Sequence, residues 1–366
     1  MTRPTVASID LGALAHNLGV ACGLAGTARV LAVAKADAYG HGLTRVWRAW
    51  SQAAGIAVLE LDAAVRLREQ GYRGRVVLLE GCFEADEIEL VERFDLVPVV
   101  HEERQLAMLS GFRPARPLPV LLKLNSGMNR LGFRPSAFRV ALERIGSDPN
   151  IGEITLMTHF ACADEGRGVA EQIEVFRAAA GSSRRPVTMA NSAALIRHPD
   201  ARGDWVRPGI MLFGATPFAD SSAASLGLQP VMTLRSRLIA EQTLVPGEAV
   251  GYGATFVADR PMRVGVVACG YADGYPRHAV TGTPILVDGV RTRTLGRVSM
   301  DLLCVDLGPV PGASVGSEVV LWGGGLPVDE VAAAAGTIGY ETMCALTRRV
   351  RIEVVAGPAP VADATQ

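Results

Sequence analysis

The 366-residue chain has no closely spaced cysteine pair, no strong excess of either charge and no long apolar run. Its six cysteines, Cys22, Cys82, Cys162, Cys269, Cys304 and Cys344, stand far apart without a CxxC unit. This excludes a disulfide framework and a cysteine-pair metal site, and it fits reduced thiols in a cytoplasmic protein. A formal net charge of −1, with both signs scattered, leaves no basic footprint for nucleic acid and no polybasic patch for a membrane. No stretch reaches the roughly 18 uninterrupted apolar residues of a membrane span. The opening MTRPTVASIDLGALAHNL carries no apolar core of signal-peptide type. There is no internal repeat and no long linker. The expectation is a soluble cytoplasmic protein.

What is present is ample core material, 49% hydrophobic residues in a chain long enough for two domains. Eight short apolar runs recur through the first 210 residues: VLAVA (30–34), GIAVL (55–59), VVLLE (76–80), DLVPVV (95–100), VLLKL (120–124), ITLMTHF (154–160), VTMAN (187–191) and DWVRPGIMLFG (204–214). Between them, 61–70, 84–94, 101–109 and 167–180 carry apolar residues at helical spacing. Alternation of buried runs with helices points to parallel βα units, and a count of eight suits a closed (β/α)8 barrel, with an open doubly wound sheet as the alternative. From about Gln229 the texture turns β-rich, with Asp288-Gly289 as a hairpin signal. The predicted division is a barrel over 1–228 and a mainly-β domain over 229–366, its tail after Gly357 frayed.

In such a barrel the groups at the C-terminal strand ends share one mouth. Lys35 follows the first run, in AVAKADAYGHG, and Lys123 ends the fifth, with Arg130 beyond it. His159 ends the sixth and Asn191-Ser192 the seventh, while Arg207 and Gly209 lie in the eighth. Singly, each has a plain reading: a solvated lysine, a helix-capping serine, a packed histidine, an ion-paired arginine. Together they form a pocket with cations, an imidazole and small residues that open backbone N–H groups to an anion. A phosphate at the seventh and eighth ends, facing a lysine at the first, suits a phosphorylated aldehyde cofactor bound as a Schiff base.

At these residues the chain resembles the alanine racemases, pyridoxal-phosphate enzymes of fold type III. AVAKADAYGHG is similar to their lysine motif, and KLNSGMNRLGF, THFACADE, ANSAAL, DWVRPGIMLFG, VGYGATF, GYADGYPR, GRVSMDLLCVDLG and GTIGYETMCALTRRV follow in the family's order. The resemblance implies interconversion of L- and D-alanine, for peptidoglycan precursors or alanine breakdown, with pyridoxal 5'-phosphate on Lys35. It implies that Tyr39, Ser192, Gly209, Ile210 and Tyr340 surround the phosphate and that Arg207 faces the ring nitrogen. Arg130 is implied near the substrate carboxylate, and Lys35 and Tyr252 as the two proton carriers, with His159 bonded to Tyr252 and linked to Arg207. Tyr252, Tyr271, Met300 and Asp301 belong to the β domain, which in this family completes the other subunit's site, so a homodimer is implied. Lys123 matches a lysine often carbamylated in relatives, beside Asn125-Ser126 where many relatives have Asp-Thr.

Two rivals are a racemase of broader specificity, for serine among others, and a non-catalytic pyridoxal-phosphate-binding protein. Relatives of the second kind lack a β domain. D-amino-acid release from a panel of L-amino acids separates all three.

Overall fold

The computed structural model describes residues 3–355. The chain opens with β1 (Val6–Asp10). Asp10 then caps the helix Leu11–Ala25, accepting the Gly12 and Ala13 amides at 2.8 and 2.9 Å. Eight parallel strands follow and close into a barrel: β2 (Arg29–Val33), β3 (Gly55–Val58), β4 (Arg75–Leu78), β5 (Leu96–Val100), β6 (Leu118–Lys123), β7 (Ile151–Met157), β8 (Val187–Thr188) and β9 (Trp205–Val206). β9 lies beside β2, with Arg29 opposite Trp205 and Val30 opposite Val206, so no edge remains. Valine, leucine, isoleucine and alanine dominate these strands because both faces are covered, by packed side chains inside and helices outside.

Each of the eight expected runs falls on a barrel strand, and the open-sheet alternative is discarded. The run 204–214 is strand only at its start; beyond Pro208, which has no N–H to give a ladder, Ile210–Phe213 winds into a 3-10 turn. The expected helices appear as Leu61–Glu69, Glu87–Arg93, Glu103–Gly111 and Ala170–Ala180.

The second domain is mainly β: β10 (Met232–Leu244), β11 (Ala249–Val250), β12 (Phe256–Val257), β13 (Met262–Val267), β14 (Pro284–Val287), β15 (Val290–Leu295), β16 (Leu303–Asp306), β17 (Glu318–Trp322) and β18 (Arg351–Val355). Its main sheet runs β13-β16-β15-β14-β17-β10-β1-β18. The 13-residue β10 pairs with β17 and β1 along its first half and with β13 beyond an irregularity near Leu238, which brings the far end of the sheet back to it. Asp288 and Gly289 turn β14 into β15 with φ of +47° and +77°, the doubly positive turn expected of Asp-Gly.

β1 pairs antiparallel with β10 and parallel with β18. The expected division at 228/229 groups these residues with the barrel, whereas their backbone belongs to the C-terminal sheet. The tail after Gly357 lies outside the described residues. Among those described, no helix is long and apolar enough to cross a membrane, and all six cysteines are free.

Candidate active site

At the end of β2 the chain leaves Lys35 and enters a left-handed turn. Ala36, Asp37, Ala38 and Tyr39 all have φ between +51° and +55°, although none is glycine. L-residues resist this conformation by roughly 1–2 kcal/mol each, so the surroundings must impose it. Asp37 Oδ1 accepts the Leu43 amide at 2.8 Å. Buried His41 sets Nδ1 against the Ala38 and Tyr39 carbonyls at 3.0 and 2.9 Å. Tyr39 packs on Phe213, centroids 4.7 Å apart, and lies 6.0 Å from the Tyr340 ring. A Cβ on Gly40 would stand 2.3 Å from the Met343 carbonyl oxygen, so the turn is seated tightly on the helix Gly339–Cys344 that carries Tyr340.

Across the mouth, the short helix Ser192–Arg197 is capped by Asn191, whose side chain accepts the Ala194 amide at 3.0 Å. Ser192, freed from capping, accepts the Gly209 amide at 2.8 Å. Gly209 comes so close to Tyr39 that a Cβ there would lie 2.3 Å from the phenol oxygen. Deep between these strands, Arg207 is 3% exposed. It donates to Thr188 Oγ1 at 2.7 Å, to the Thr158 and Met189 carbonyls at 2.7 and 3.1 Å, and to His159 Nδ1 at 3.3 Å. Burial lowers Arg207 to about 10, leaving it charged at neutral pH. Burial, then the Arg207 charge, drives His159 well below the usual histidine value, so its ring is neutral. Since a guanidinium only donates, Nδ1 is the acceptor and the ring proton sits on Nε2.

One pocket gathers Lys35, Tyr39, Lys123, Arg130, His159, Asn191, Ser192, Arg207, Gly209, Ile210 and Tyr340, walled by Val33, Leu59, Leu79, Leu131 and Met157. Four cations face a single carboxylate, Glu80, among the lining residues described. This balance suits a ligand carrying phosphate and carboxylate charge. Sequence reasoning passed over Glu80, although it ends the third run, VVLLE, at the same strand-end position that singled out the others. Burial, then the charge of Arg130, lowers the Lys35 amine. Burial first of all pushes the Tyr39 and Tyr340 hydroxyls up, so both remain protonated donors.

Burial, then Arg207 and Arg130, pull Lys123 from its ordinary 10.5 down to about 8. Between those values the folded state binds fewer protons than the unfolded one, so this lysine makes stability rise with pH there and imposes its full cost below about 8. Lys123→Met is therefore expected to stabilise the cofactor-free protein at pH 7 and to flatten that rise. Melting curves in carbon-dioxide-free buffer check this, and parallel pH–stability curves for the two proteins would contradict it.

Tyr252, Tyr271, Met300 and Asp301 do not line this pocket. Tyr252 is 72% exposed, in a turn between Gly251 and Gly253 with φ of +71° and +72°. Tyr271 and Met300 are neighbours and also exposed: the Tyr271 and Ala272 amides donate to the Ser299 and Met300 carbonyls at 3.1 and 2.9 Å. Asp301 receives Arg349 at 2.5 Å, and buried Asp273 ties Arg349 (2.7 Å) and Arg3 (3.2 Å) to the same corner.

Two family descriptions match the chain, "Alanine racemase, N-terminal domain" over residues 9–217 and "Alanine racemase, C-terminal domain" over residues 231–354. An alanine racemase of Thiobacillus denitrificans is 60% identical over 353 residues, 96% of this chain and 96% of that protein. One of Nitrosospira multiformis is 56% identical over 354 residues, 96% of this chain and 99% of that protein. The crystal structure of biosynthetic alanine racemase from Pseudomonas aeruginosa superposes with a TM-score of 0.94 at 47% identity, covering 97% of this chain and 100% of that one. The structure of alanine racemase from Acinetobacter baumannii gives 0.93 at 36% identity, covering 97% and 100%.

Proposed function

The chain belongs to the alanine racemase family and interconverts L- and D-alanine; from that premise we propose that Lys35 and the partner subunit's Tyr252 carry the two protons, with pyridoxal 5'-phosphate as cofactor. The pocket suits that cofactor on its own features. The Ser192 hydroxyl, braced by the Gly209 amide, and the protonated Tyr39 and Tyr340 hydroxyls gather donors at one end, where the side-chain-free Gly209 leaves room for a phosphate. The Lys35 amine belongs to the same pocket, and Arg207 is fixed by four bonds on its floor. Bound through an amine, pyridoxal phosphate supplies an electron-withdrawing ring that acidifies the substrate Cα–H.

The chain's own groups divide the remaining work. Lys35, its amine lowered by burial and then by the Arg130 charge, serves one face of the α-carbon. Arg207 is a hydrogen-bond donor but too weak an acid to protonate a pyridine nitrogen, so a ring nitrogen facing it would stay neutral, which would restrain reactions that need a stronger electron sink. Arg130, on the loop after β6, meets the substrate carboxylate. His159 keeps its Nε2–H free of Arg207, a donor available to stabilise a phenolate. Tyr252 of the partner subunit takes up that bond and serves the opposite face, while the partner subunit's Tyr271, Met300 and Asp301 bound the substrate.

The observation that carries this reading is what the pocket lacks. Inversion needs a proton carrier on each face, yet the lining phenols are held protonated and His159 is committed to Arg207, so no phenol or imidazole of the pocket is free for the second face. The second amine, Lys123, ends β6 on a different side of the barrel from Lys35 and beside the carboxylate Glu80 in the lining. The unused phenol, Tyr252, stands exposed on the β domain. A cytoplasmic homodimer that sets this domain over the partner's barrel answers both facts. Titration with pyridoxal phosphate, borohydride reduction and mapping of the labelled peptide test the assignment, which requires the label on Lys35. Gly209→Ala, whose Cβ meets the Tyr39 oxygen, is expected to weaken cofactor affinity about tenfold or more; unchanged affinity would count against the cradle.

A further inference from the structure

His159 has one polar side-chain partner within the described chain, Arg207, at a long 3.3 Å. That contact alone does not fix where the ring points. The backbone of the 158–161 segment must do so, and it is gripped from outside the barrel mouth by Gln172, on the first turn of the helix Ala170–Ala180. Gln172 Oε1 accepts the Ala161 amide at 2.9 Å, while Nε2 donates to the His159 carbonyl at 3.2 Å and to Ser126 Oγ at 3.1 Å. The partners dictate the orientation of the amide, since a backbone N–H must meet oxygen and a carbonyl must meet nitrogen.

Ser126 carries the tie inward. Its buried hydroxyl lies 2.7 Å from Thr158 Oγ1, and Thr158 donates to the Leu124 carbonyl at 3.0 Å. The donors therefore run in one direction, from Gln172 through Ser126 and Thr158 to the Leu124 carbonyl, a chain in which each link polarises the next. The Thr158 carbonyl also accepts Arg207 at 2.7 Å, so the segment bearing His159 is clamped on one side by Gln172–Ser126 and on the other by the arginine.

We propose that Gln172, acting through Ser126, is a positioning residue that sets the His159 ring for the proton transfer carried by Tyr252. This rests on the function proposed above. It separates the two faces of the reaction, because Lys35 belongs to the β2 end and makes no contact with this chain of bonds. Loosening the clamp should slow inversion and leave proton exchange at the Lys35 face intact.

The test incubates D-alanine in deuterium oxide with wild type, Gln172→Ala, Ser126→Ala and Ser126→Thr. It measures L-alanine formed and α-deuterium in recovered D-alanine. Gln172→Ala and Ser126→Ala are expected to lose about 10- to 100-fold in kcat for inversion, as misplacement by fractions of an ångström does. KM and cofactor absorbance should be retained and the ratio of exchange to inversion should rise about tenfold, while Ser126→Thr, which keeps the hydroxyl, recovers near wild-type rates. In the cofactor-free protein the His159 ring 15N signals should move in the two alanine variants and not in Ser126→Thr. Exchange and inversion falling together, rates within threefold of wild type, or Ser126→Thr as slow as Ser126→Ala would each overturn the role of Gln172. Should one alanine variant fail to fold, the other reads the same chain of bonds. A wild type that racemises nothing would instead overturn the proposed function.

Discussion

Lys35→Ala is expected to abolish racemisation, with at least a 10⁴-fold loss, and with it the visible-edge absorbance of covalently held pyridoxal phosphate. A positioned acid or base is worth roughly 10²- to 10⁴-fold by itself, and this residue would lose the covalent attachment as well. No neighbour replaces it. Lys123 lines the same pocket, lowered to about 8, but it ends β6, on a different side of the barrel from the β2 end. The variant should still bind the cofactor non-covalently, because the Gly209–Ser192 bond and the bonds that hold Arg207 do not involve Lys35. Chiral chromatography of alanine and an absorbance scan decide the matter. Residual turnover above a hundredth of wild type would mean that another amine does this work.

Tyr252→Phe should cost about 10²- to 10⁴-fold in kcat for inversion, for a different reason and with a different signature. The ring and its packing survive and only the phenol oxygen goes. Tyr252 is no part of its own chain's pocket, so cofactor affinity and absorbance should match wild type. α-Deuterium should still enter D-alanine through Lys35, while L-alanine accumulates slowly. Equal loss of exchange and inversion would place Tyr252 in general substrate binding rather than on one face of the reaction.

Much of this was legible because local pattern and function coincide at strand ends. Runs such as VLAVA and VVLLE are buried on both faces, and the polar residues at or near their C-terminal ends fall at the mouth, which drew attention to Lys35, His159, Ser192 and Arg207 from the sequence alone. Asp288-Gly289 was equally plain, since few other pairs accept two positive φ values. What stayed hidden was non-local or contrary to propensity. VASID at 6–10 stood outside the eight runs, and nothing within it says that it forms a strand whose partners are β10 and β18, more than 200 residues away. Ala36 to Tyr39 carry no glycine to announce a left-handed turn, which tertiary contacts from Asp37, His41 and Phe213 impose. Gln172 looks like any polar residue near a helix start. Its three bonds appear only once the loops after β6 and β7 stand beside it.

The central claim is that each site takes its amine from one chain and its phenol from the other, and subunit mixing tests it most directly. Lys35→Ala and Tyr252→Phe, each inactive as a pure dimer, are dissociated together and allowed to reassociate. In a mixed pair one site carries both lesions and the other carries neither. Random reassociation should therefore restore about a quarter of wild-type racemisation, one intact site in half of the dimers. A mixture that stays as inactive as its parents would show that Lys35 and Tyr252 never meet across two chains.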